Sequence, residues 1–202
     1  TGNVTLFTKD GVTVMGGGSS HKVDIDKADI VLDLHEKYRS WSGPEGWKSM
    51  ALANKPVIVN MYISDMSAPY WIGKNFWQAL WSDLKAEAVA RGGKVRVLAT
   101  CFGGHGRTGT VLTALALAAK VVPKGADPVA WMRSNYCTHA IESSVQLDYL
   151  ETTFGIKTSE TPYKAYTPAT TYKPATGAII QGKAPAKDVM DMYDMLGNMG
   201  WE

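Results

Sequence analysis

The sequence predicts an α/β domain with a central, mostly parallel sheet flanked by helices, led by an N-terminal hairpin and followed by an extended C-terminal tail. Apolar runs of strand length at residues 28–34, 56–63 and 94–100 are interleaved with segments of helical period, the alternation expected of a layered α/β architecture. The chain has 202 residues, 45% of them hydrophobic, enough for one domain with a full core and too few for two sizeable ones.

Residues 4–7 and 12–15 read as the arms of a hairpin around Lys9-Asp10-Gly11. Gly16-Gly17-Gly18-Ser19-Ser20 then reads as a flexible loop. Residues 28–34, 56–63 and 94–100 are the central strands. Between the last two, Phe76, Trp77, Leu80, Trp81 and Leu84 recur at helical period. Asp83 lies inside that amphipathic segment, four residues from Glu87, and is expected on its solvated face. Residues 108–119 are apolar nearly all round, so that helix should be buried against the sheet. Asp127-Pro128 and Ser143 look like the starts of two more helices, and Gly155 like the stop of the last.

Residues 1–155 therefore form the domain. Residues 156–187 are a Thr/Pro/Ala-rich tail with a short repeat, at 166–170 and 172–176, that cannot build a core of its own and reads as a tether or an extended arm. Residues 188–202 hold Val189, Met192, Tyr193, Met195 and Leu196, enough for a short amphipathic segment. Such a methionine-rich face suits docking on its own domain or on a neighbouring chain, a route to self-association.

The net charge of +2 gives no composition-level attraction to nucleic acid or to an anionic membrane, so neither partner is expected. No run of about 18 apolar residues suggests a membrane span. Thr1-Gly2-Asn3 does not read as a secretory signal. Two cysteines make no disulfide framework, and four histidines with two cysteines show no ligand spacing along the chain, so no metal or other cofactor is expected.

The chemistry concentrates at Cys101-Phe102-Gly103-Gly104-His105-Gly106-Arg107-Thr108, between a strand-like and a helix-like run. A loop of small residues opening onto a helix N-terminus aims several backbone N–H groups at one point, where the helix dipole also favours an anion. Arg107 offers a planar fork for two phosphate oxygens, and Cys101 at the base of the loop is set up as a nucleophile. Other motifs overlap the stretch. Gly104-x-Gly106-x-x-Gly109 formally fits a dinucleotide fingerprint, but the helix runs on into Val121-Val122-Pro123-Lys124-Gly125 rather than to a second strand ending in an acid. In a nucleotide P-loop, Cys101 would replace the first glycine and Arg107 the lysine. A buried, inert cysteine is the bland reading, and one falling by chance six residues before Arg-Thr in a glycine-rich turn is hard to credit.

Cys101-x-x-Gly104-x-Gly106-Arg107-Thr108-Gly109 resembles the phosphate-binding signature of the protein tyrosine phosphatase superfamily, cysteine-dependent phosphatases that include dual-specificity members. The resemblance covers roughly residues 25–155. It implies a phosphatase-like fold and hydrolysis of phosphotyrosine, with phosphoserine and phosphothreonine as further targets, through a phosphocysteine intermediate. The phosphate would lie against Phe102, Gly103, Gly104, His105, Gly106 and Arg107. Substrates would be phosphorylated proteins or small aryl phosphates, and a catalytic thiolate suits a reducing, cytoplasmic setting. Relatives that take phosphoinositides, inositol phosphates or RNA 5′-triphosphate often carry lysines inside the loop, where this chain has Phe102 and His105. A phosphate-binding module without turnover is the reading from another class.

In the family a general acid comes from an Asp, often with a proline four residues later; Asp65 with Pro69 is similar, although Ile63-Ser64 stands where Trp-Pro is usual. Capping of a following helix is the other reading of Asp65. Asp83 and Asp33 are the alternative acids. By the same resemblance, Thr108 would hydrogen-bond the sulfur as it leaves, and Gln146 would orient the attacking water; a surface glutamine on a helix is the plainer account of Gln146. Thr100 stands where the family usually has a histidine, supplying a hydrogen bond but no charge. His105 could add charge, contact an acidic substrate, or point to solvent. Cys137 reads as buried, with a protective disulfide to Cys101 as the redox alternative.

Overall fold

The structure, a computed structural model, describes residues 2–38 and 56–163. Five strands form one mixed sheet: β1 (Val4–Lys9), β2 (Val12–Gly18), β3 (Ile30–Asp33), β4 (Val57–Asn60) and β5 (Val95–Cys101), in the order β1-β2-β5-β3-β4. Only the β1–β2 pair is antiparallel among them. Asp10 and Gly11 between those two strands both have positive φ, 51° and 79°, the backbone that a tight hairpin turn demands. The expected α/β class, mostly parallel sheet and N-terminal hairpin are all present.

Among the described residues the α-helices are α1 (Lys74–Ala90), between β4 and β5, and α2 (Gly106–Ala118), α3 (Pro128–Asn135) and α4 (Ser144–Phe154) after β5. Their buried side chains join Val12, Val14, Ile30, Leu32, Val57, Val59, Val95 and Val97 in a single large core on one face of the sheet. The alternate positions Met15, Val31, Ile58 and Leu98 form a smaller cluster on the other face, covered by Val23, Ile25 and Tyr38. Every residue of β3 is buried, as expected of a strand covered on both faces. Among the described residues no helix is long and apolar enough to cross a membrane.

The helix starts at Asp127-Pro128 and Ser143 have identifiable caps. The Asp127 carboxylate accepts the amides of Val129 and Ala130, with Pro128 in the first turn. Ser143 accepts the Gln146 amide while the Gln146 side chain accepts the Ser143 amide, a reciprocal capping box. Gly155 ends α4 in the left-handed conformation.

Two expectations are corrected. Gly16-Gly17-Gly18 is not a flexible loop but the end of β2, paired in parallel with Ala99, Thr100 and Cys101. Glycine is required there by close approach: a Cβ on Gly18 would lie 2.5 Å from the Gly103 backbone. Asp83 is not on a solvated face but buried at 8% exposure, and its Oδ2 has no hydrogen-bond partner among the described residues. The tail expected at 156–187, beyond its first eight residues, and the amphipathic segment at 188–202 lie outside the described residues.

Candidate active site

The parallel strands deliver their C-terminal ends to one edge of the sheet. Gly18 pairs with Cys101, Asp33 with Thr100, and Asp33 with Asn60, so the segments after β2, β3, β4 and β5 all emerge together. Crevices outside the carboxyl ends of strands are where open α/β sheets take ligands.

Cys101 is the last residue of β5, with 2% exposure, and α2 begins five residues later. Its Sγ accepts hydrogen bonds from the Gly104 amide at 3.2 Å and from the Thr108 hydroxyl at 3.1 Å. Gly104 has φ +76°, and a Cβ there would lie 2.5 Å from the Gly18 amide nitrogen, so the loop turns back against the β2 backbone in a way only glycine permits. The loop is also held from outside: the Tyr136 hydroxyl donates to the Gly104 carbonyl at 2.6 Å, and Ser20 donates to the Phe102 carbonyl through its amide at 3.0 Å and its hydroxyl at 2.8 Å. Burial raises the Tyr136 phenol, with Cys101 and Cys137 adding to the effect, so it stays a neutral donor. The Phe102 ring is 64% exposed at the loop surface.

Arg107, in the first turn of α2, donates to the Ile63 carbonyl at 3.0 Å and lies 3.1 Å from Asp65 Oδ1. The guanidinium is nearly buried while the Asp65 side chain is 78% exposed. The segment after β4 that carries Asp65 is tied to α4: the Ser143 hydroxyl donates to the Met66 carbonyl at 2.6 Å, and Gln146 Nε2 to the Ser67 carbonyl at 3.2 Å. Asp65 is thus brought to the loop's arginine rather than used as a helix cap. Gln146 is fully buried, not a surface residue, and its amide nitrogen is one of the atoms a Cβ on Gly106 would meet.

The other two acids stand elsewhere. Asp33 is fully buried and holds His35 Nδ1 at 2.8 Å and the Tyr38 amide at 2.7 Å. His35 Nε2 in turn pairs with the Ser19 hydroxyl at 2.8 Å. Burial lowers the His35 imidazole, the charges of Arg107 and Lys37 add to this, and Asp33 opposes it. Asp83 sits within α1, where burial raises its carboxyl to about 6. Thr100 is buried, and its hydroxyl donates to the Cys101 carbonyl at 3.3 Å rather than to the sulfur.

Sequence reasoning missed Glu142. Its Oε2 accepts the Gly106 amide at 3.0 Å, so a carboxylate occupies one of the donors at the start of α2. It also missed the surroundings of Cys137, which is half-buried and 3.0 Å from His105 Nδ1. Neither residue has a local signal, since each reaches the loop from more than 30 positions downstream.

No protein-family model matches the chain, and no curated protein matches it significantly. Among solved structures the chain is similar to Tk-PTP in its active form, with 20% identity over 74% of this chain and 94% of that one at a TM-score of 0.47. It is likewise similar to a glycine-to-alanine mutant form of Tk-PTP, at 21% identity over 74% and 93% of the two chains and the same TM-score of 0.47. At that distance the chemistry has to be read from the residues of this chain.

Proposed function

We propose that the chain is a cysteine-dependent phosphomonoesterase acting on phosphotyrosine proteins and small aryl phosphates, with phosphoserine and phosphothreonine as further substrates. The observation that carries this reading is Cys101 Sγ at a strand end, hydrogen-bonded by the Gly104 amide and the Thr108 hydroxyl, with Arg107 of the same loop paired to Asp65 from the segment after β4.

The thiolate of Cys101 attacks phosphorus while the loop amides and the Arg107 fork take up the phosphoryl oxygens. Binding of the phosphate displaces Asp65 from Arg107, and Asp65 in its acid form delivers a proton to the departing alkoxide or phenoxide. Water then attacks the phosphocysteine. Asp65 accepts its proton, and the Thr108 hydroxyl stabilises the sulfur as it leaves. Gln146, whose amide group lies near Gly106, is the candidate for holding that water. The exposed Phe102 ring at the loop surface favours aryl substrates.

Cys101→Ser should abolish hydrolysis of p-nitrophenyl phosphate while inorganic phosphate still binds; retained turnover would overturn the mechanism. Asp65→Ala should slow hydrolysis by about 10²- to 10⁴-fold. A burst of p-nitrophenolate, or a trapped phosphocysteine, separates turnover from mere phosphate binding. A panel including inositol phosphates and RNA 5′-triphosphate tests the substrate class.

A further inference from the structure

Three ligand atoms of His105, Cys137 and His139 lie within 4.8 Å of one another. We propose that these residues form a binding site for one soft divalent cation, Zn²⁺ first among them, which ties the phosphate loop to the turn after α3.

The donor set points to this class of ion. Two imidazoles and a thiol, with no carboxylate in the cluster, suit Zn²⁺ and disfavour Mg²⁺ or Ca²⁺, which take oxygen ligands. Zinc bonds to nitrogen and sulfur are about 2.0–2.3 Å long, so donors around a tetrahedral zinc lie roughly 3.3–3.8 Å apart. His105 Nδ1 and Cys137 Sγ are already 3.0 Å apart, and modest rotamer changes would admit the ion in place of the proton they share.

The surroundings fit as well. The His139 ring lies against Tyr163 with centroids 4.2 Å apart, which fixes its plane, and 5.5 Å from the His105 ring. His21, in the turn after β2, has its ring 5.9 Å from that of His105, bringing a third imidazole to the same edge. Three of the chain's four histidines and one of its two cysteines therefore meet at one place. The absence of metal-ligand spacing in the sequence has a simple cause: His105 and Cys137 are 32 positions apart, and the fold brings them together.

Binding would release the Cys137 thiol proton. His105 sits between Gly104 and Gly106 of the loop, so the ion would restrain the segment that cradles phosphate. The inference does not depend on Cys101 turning over.

The test uses the full chain stripped of metal by EDTA and titrated with Zn²⁺ alone, or with Co²⁺ as a spectroscopic substitute. Co²⁺ should bind one to one and give a near-ultraviolet sulfur-to-metal charge-transfer band. That band should persist in Cys101→Ser and vanish in Cys137→Ser. Zn²⁺ affinity should fall by more than about tenfold in Cys137→Ser and in His139→Ala, while basal aryl phosphatase activity stays unchanged in both. A band that survives Cys137→Ser, or that disappears in Cys101→Ser, would place the ion elsewhere and overturn the site, as would failure of the wild-type chain to bind. Should Cys137→Ser not fold, His139→Ala decides by the same affinity measurement, with circular dichroism confirming its fold.

Discussion

Gly18 and Gly104 face each other across the gap between β2 and the loop after β5, and neither position has room for a methyl group. Gly18→Ala must push the Gly103 backbone away, so it should cost about 1–3 kcal/mol of stability and lower phosphate affinity along with it. Chemical denaturation and phosphate titration on one sample check both effects. Asp83 is a residue-scale problem of the opposite kind. Its carboxyl is raised from 3.8 to about 6 by burial, so the fold favours the neutral form. That stabilisation is complete below about pH 4 and is lost as pH rises through about 6. Asp83→Asn should therefore raise the thermal midpoint at pH 8, by the equivalent of about 1–3 kcal/mol, and give no gain at pH 4. An equal gain at both pH values would contradict the assignment.

At the scale of elements, α3 begins on Asp127, whose carboxylate also accepts the Thr158 hydroxyl at 2.7 Å and the Ser159 amide at 2.9 Å. Burial alone would raise this carboxyl; the hydrogen bonds from Thr158, Ser159, Ala130 and Val129 outweigh it and hold the group below its ordinary 3.8. Its contribution is present above about pH 4 and disappears as pH falls through the lowered folded-state value. Asp127→Ala should destabilise the protein by about 1–2 kcal/mol at pH 7, with the difference from wild type closing in acid unfolding experiments. The two helix starts were legible in the sequence because Asp127-Pro128 and Ser143 are local signals, whereas Gln146 as the partner of Ser143 was not read there. Gly16-Gly17-Gly18 was not: glycine there answers the approach of residues 103 and 104, which local propensity cannot reveal. Asp83 was misread for a similar reason, since a charge within an amphipathic segment looks solvated until the packing around it is known.

At the scale of the whole molecule, the decisive arrangement is that β5, the last strand among the described residues, lies in the middle of the sheet between β2 and β3. The strands and their class could be read from apolar runs, and the glycine-rich turn between β5 and α2 from its own eight residues. Strand order could not, because nothing within β2 or β3 specifies that a segment some 60–80 residues downstream will separate them. Glu142 and the His105–Cys137–His139 cluster stayed hidden for the same reason. A fragment ending at residue 93 lacks the strand that joins β2 to β3, so it should show no cooperative thermal transition by circular dichroism, whereas the full chain should. A sharp transition in the fragment would mean that the two halves of the sheet are stabilised independently.

The central place of β5 also sets an order of events during synthesis. The hairpin, β3 and β4 leave the ribosome before β5 exists, so β2 and β3 each wait with an unpaired edge turned toward the position that β5 will take. Exposed edges of this kind pair with other chains, which makes the interval before residue 101 emerges the time of greatest aggregation hazard. The same strand that ends in Cys101 closes the sheet, so that thiol and the completed sheet arrive together.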